Sequence, residues 1–169
     1  MREAPLLSNP DNFLPDVITN CAGPYLRFGG IDDSKERVEA FHKIAAIEGE
    51  DIRNTFGVHL INPSSIPQEL DTIVTNMWAT GWTPEHDNLE LFAWEFGLQL
   101  VEAILSIYGG ELIFRRTEYH NHTSVFWPNA KVEAFPFHKT IKCLRDQHGG
   151  DTMAYFVSGL AGLIRWAER

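Results

Sequence analysis

The run from Glu118 to Lys139, EYHNHTSVFWPNAKVEAFPFHK, decides how this chain folds. It carries His120, His122 and His138 beside a glutamate and bulky aromatics, so it admits two readings. One is a metal or acid–base site. The other is a hairpin that happens to bear histidines.

Alternation of apolar and polar residues at period two marks a half-buried strand. In ELIFRRT, Leu112 and Phe114 alternate with polar or charged neighbours. HTSVFW and AKVEAF flank Pro128-Asn129. A two-residue loop there pairs Val125 with Val132 and Thr123 with Ala134. Thr123, Val125, Trp127, Ala130, Val132 and Ala134 then share one face, apolar apart from the threonine. His122, Ser124, Phe126, Lys131, Glu133 and Phe135 take the other. Pro-Asn is not the favoured chemistry of a two-residue hairpin, which leaves a longer loop open.

The metal reading starts from parity. Glu118, His120 and His122 lie on one side of an extended backbone. Two histidines and a carboxylate suit zinc or non-haem iron, with His138 or Glu133 as a fourth ligand. However, EYHN has to reverse the chain between a strand ending near Thr117 and one starting near His122, and a turn scrambles that parity. No HExxH or second HxH motif accompanies the cluster. The expectation is therefore no metal and no cofactor. Glu118, Tyr119, His120, Asn121 and His122 are expected to form a recognition loop on a rigid hairpin.

Outward from the hairpin the period changes to 3.6. Ser34 caps a helix in which Val38, Phe41, Ile44, Ala45, Ile47 and Ile52 recur up to Phe56-Gly57. Ser65 with Gln68 resembles a capping box, and Pro67 is tolerated in the first turn of a helix from about Ile66 to Ala79. Leu89 to Tyr108 is nearly all apolar and reads as a helix buried on most sides. Within it Glu95, Gln99 and Glu102 form a narrow polar stripe. Pro136 opens a helix with Ile141, Cys143 and Leu144 inward, stopping at Gly149-Gly150. Asp151 caps a last helix with Met153, Phe156, Val157, Leu160, Leu163, Ile164 and Trp166 on its apolar side. The fold class is α+β, with helices packed around a small antiparallel three-stranded meander. Residues 1–169 read as one domain with a loop-rich lead-in over about 1–33, including a short helix near Asp11 to Asn20.

The formal net charge is -9, from 14 Lys plus Arg against 23 Asp plus Glu. That sign argues against nucleic acid and anionic membranes as partners and would steer a basic protein towards the chain. Cys21 and Cys143 show no metal spacing and read as buried thiols, although a disulfide between them stays open. The N-terminus lacks a signal-type apolar run, and no eighteen-residue uncharged apolar stretch occurs, so a cytoplasmic location is expected. Raised carboxyl pKa values in the Glu95–Gln99–Glu102 stripe would serve acid–base chemistry. Alternatively the stripe meets solvent or pairs with Arg115, Arg116 or Lys142. No GxSxG or other nucleophile signature is present. Trp78, Trp94, Phe96 and Trp127 read as core.

GLQLVEAILSIYGGELIF, followed by HTSVFWPNAKVEAFPFHKTIKCL, resembles uncharacterised bacterial accessory or immunity-type domains. The resemblance spans about residues 97–160 and is carried by Gly97, Glu102, Gly109, Gly110, Pro136, Phe137 and Lys142. It implies no catalytic residue. The functional expectation is a non-enzymatic protein-binding module, in the form of an intracellular immunity protein neutralising a basic toxin. The alternatives are a metal-assisted hydrolase using Glu118, His120 and His122, or an accessory subunit of a larger assembly.

Overall fold

The structure is a computed structural model that describes residues 34–84, 89–116, 121–146 and 152–167. The lead-in over 1–33 with its expected helix and Cys21, and the Asp151 cap, lie outside the described residues. The helix expected to run from Pro136 to a stop at Gly149-Gly150 ends earlier, at Arg145, where Asp146 turns extended. The elements follow in the order α1 (Ser34–Phe56), α2 (Ile66–Ala79), α3 (Leu89–Tyr108), β1 (Glu111–Arg116), β2 (Asn121–Trp127), β3 (Val132–Ala134), α4 (Pro136–Arg145) and α5 (Met153–Ala167). The three strands form one antiparallel sheet in the order β1-β2-β3. This is the expected α+β meander with helices around it.

Helix α3 is the axis of the fold. Trp94, Phe96, Leu98, Leu100, Val101 and Ile104 are all buried. Helix α1 packs on one side, α4 on another, and α2, α5 and β2 complete the enclosure. Leu91–Tyr108 is long and apolar enough to cross a bilayer, with a mean hydropathy of 1.3. More than half of that window is buried inside the protein, which fits the core helix of a soluble protein. The close fit of α4 depends on Gly97, whose bare Cα faces the Phe137 ring. That ring also stacks on Trp94, with centroids 5.6 Å apart.

Strands β1 and β2 pair from Glu111↔Phe126 to Arg116↔Asn121. The chain leaves α3 through Gly109 and Gly110, both at positive φ (67 and 101). That conformation costs glycine little and other residues more. Strand β3 corrects the expected register, because Val125 pairs with Ala134 and Trp127 with Val132. Four residues, Pro128 to Lys131, make the loop. The Lys131 N–H donates to the Pro128 carbonyl at 3.3 Å, and Lys131 itself sits at φ 52. Pro-Asn cannot supply the two positive-φ residues of a type I′ turn, so the loop lengthens by two. A slip of two preserves parity. Thr123, Val125, Trp127 and Ala134 therefore remain together on the buried face.

Three other helical expectations are corrected. Ser65 makes no side-chain cap for α2. Its hydroxyl donates instead to the Asn62 carbonyl at 3.0 Å, and Asn62 Oδ1 accepts the Ser64 N–H at 3.1 Å. The local Asn62 turn thus takes the hydroxyl that a capping box would use. Ile47, placed on the apolar side of α1, is 62% exposed. On α5, Leu163 and Trp166 face outward, while Met153, Val157 and Leu160 bury. Core contact is confined to a stripe narrower than the apolar face.

Candidate functional site

Two places concentrate unusual chemistry: a polar seam between α1 and α3, and an open groove beside β3. The seam is where the Glu95–Gln99–Glu102 stripe goes. It meets the face of α1. The Gln99 amide donates to the Ala45 carbonyl at 2.7 Å. His42 Nδ1 lies 2.6 Å from Glu102 Oε1. Glu95 shares a side-chain hydrogen bond with Glu48. Gly49 makes room, since a Cβ there would lie 2.8 Å from Gln99 Oε1.

Burial, then the charges of Glu48 and Asp51, raise the Glu95 pKa to about 7. Glu48 is also raised, by burial first and by Asp51 second, while its bond to Glu95 pulls it back down. A hydrogen bond between two carboxyl groups requires one proton held between them, so the pair shares a proton. Burial raises Glu102 too, and His42 opposes the rise. A carboxyl poised near neutrality could move protons. The seam, however, is a helix–helix contact flanked by Phe92 and Phe96, whose rings stack 5.7 Å apart. Among the described residues, no group of three His, Cys, Asp or Glu stands ready to hold a metal ion.

The groove lies between β3, α4 and α5. It is open, about 390 Å3 in volume, and its walls are mostly apolar. Val132, Ala134 and Phe135 form one wall, Phe156, Leu160 and Leu163 the other, and His138, Lys139 and Lys142 line it from α4. The Lys139 ammonium sits 5.9 Å from the centre of the Phe156 ring, a cation–π placement. Phe135 meets His138 edge to face at 5.8 Å. Ser124 donates to Glu133 at 2.6 Å, which fixes the one acid of the lining.

Helix α5 is held in place from a distance. Asp71 on α2 accepts the N–H groups of Met153 and Ala154, each at 2.9 Å, with its two carboxylate oxygens. It thereby caps the first turn of α5, where unpaired amide donors and the helix dipole favour a carboxylate.

Of the residues expected to form a recognition loop, Glu118, Tyr119 and His120 lie outside the described residues. Asn121 and His122 open β2, paired with Arg116 and Arg115. Strand β1 ends at Arg116, and β2 begins at Asn121 and runs antiparallel to it. His138 lines the groove. Cys143 is buried, as expected. The sequence reading missed the groove, the Glu48–Glu95 pair and the Asp71 cap. The groove's one sequence signal was the concentration of cations late in the chain. No Lys or Arg occurs between Arg53 and Arg115, whereas residues 115–169 hold eight against five Asp and Glu. No family model, curated protein or solved structure matches this chain.

Proposed function

We propose that this chain is a non-enzymatic protein-binding module. The observation that carries the reading is the open apolar groove beside β3, with histidine and lysine set in its α4 wall. Concave apolar surface with a few fixed polar groups is what a partner's anchoring side chains require. Charge separation supports a division of labour. The stretch from Asn54 to Phe114, which includes α2 and α3, carries acids and no Lys or Arg. It would speed encounter with a basic partner, while the groove seats the contact. An immunity protein that neutralises a basic toxin is the cellular role this arrangement fits.

The test uses Phe135→Asp. Phe135 is on the groove wall, is 37% exposed, and occupies the N-cap of α4. Aspartate there improves the cap while removing the apolar wall, so the fold should survive. Affinity capture from the cell of origin should retain a basic protein on the wild type and lose it on Phe135→Asp. The association rate of the retained protein should fall steeply with salt. A partner indifferent to Phe135→Asp would remove the groove from the proposal, and the absence of any retained protein would remove the module.

A further inference from the structure

Helix α5 exposes large apolar side chains on its outer face. Trp166 is 76% exposed, Tyr155 69% and Leu163 54%. Gly159 and Gly162 lie on the same face, and a Cβ on either would meet nothing within 4 Å. At 100° per residue these five positions fall within about one third of a turn. Their spacing is symmetric. Tyr155 precedes Gly159 by as many residues as Trp166 follows Gly162. A two-fold axis through the midpoint of the two glycines therefore sets Gly159 against Gly162 of a second copy. It also sets Tyr155 against that copy's Trp166, and the two such pairs lie about 16 Å apart along the helix. Leu163 falls over Ser158.

We infer that the outer face of α5 is a homodimer interface, in which two copies pair α5 antiparallel about this axis. Isologous contact demands a patch complementary to itself. Here the bare backbone at the centre permits close approach, and the aromatic rings at the two ends close over it. The area approaches what a specific dimer needs. At roughly 150–250 Å2 for a whole aromatic side chain, the exposed shares of Tyr155 and Trp166 come to about 300 Å2 per copy. With Leu163 and the helix backbone between them, two copies in full contact approach the roughly 1,000 Å2 of a specific interface. Only Leu163 belongs to both this face and the groove, so the dimer goes beyond the binding-module proposal and does not depend on it.

Sedimentation velocity on the purified chain tests the inference. The wild type should dimerise with a dissociation constant of about 10 μM or tighter. Gly162→Leu fills the open centre and should weaken the dimer at least about tenfold. Its thermal midpoint should be unchanged or higher, because leucine is the better helix former. Trp166→Glu should weaken the dimer comparably, again with the fold intact. Phe135→Asp, in the groove, should leave the dimer unchanged. A wild type that stays monomeric at every concentration overturns the inference, as does a dimer that either α5 variant leaves intact.

Discussion

A Cβ built on Gly97 would stand 2.2 Å from Cδ1 of Phe137. The two residues, forty positions apart, therefore set how closely α4 lies on α3. Both Gly97 and the ring are fully enclosed, and Phe137 is already pressed against Trp94 on its other contact.

Gly97→Ala is expected to destabilise the fold by about 1–3 kcal/mol, because overpacking a close-packed core outweighs the roughly 1 kcal/mol of helix propensity that alanine brings. Urea midpoints at equal slope compare it with the wild type.

The Glu48–Glu95 pair makes stability depend on pH. The folded pKa of Glu95, about 7, lies above its ordinary value of 4.5. Between those values the folded chain holds a proton that the unfolded chain has released, so stability falls as pH rises from about 4.5 to 7. Solvent at the half-buried seam screens the effect to about 1–2 kcal/mol. Glu95→Gln keeps the hydrogen bond to Glu48 and carries no charge. It should flatten this slope and stabilise the protein at pH 8, as read by thermal unfolding across the pH series.

His42 and Glu102, one turn further along the same seam, should behave differently. Their side chains are 44% and 32% exposed. Glu102→Gln is expected to cost less than about 1 kcal/mol, and raised salt should erase the difference.

Asp71→Ala removes both acceptors from the start of α5 and should cost about 1–3 kcal/mol. Asp71→Asn retains one acceptor and should cost less. Hydrogen exchange gives the local readout. Met153 and Ala154 amides should lose protection in Asp71→Ala while the α3 core amides keep theirs.

Local periodicity determined much of this protein. The bounds of α2 and α3, the switch to period two after Gly110, the parity of the hairpin faces and the inward Ile141, Cys143 and Leu144 were all legible. Each follows from neighbours within a turn or a pleat. Tertiary structure alone decided the rest. The loop of four residues set the β2–β3 register, because turn geometry and not parity chooses between slips of two. Glu95 found Glu48, Gln99 found Ala45 and Asp71 found Met153 across separations of up to 82 residues. A stripe read on one helix shows that it needs a partner without naming it. The outward turn of Trp166 likewise depended on how much of α5 the core could cover. Helical spacing places apolar residues on a side, but the width of the contact fixes which of them leave water.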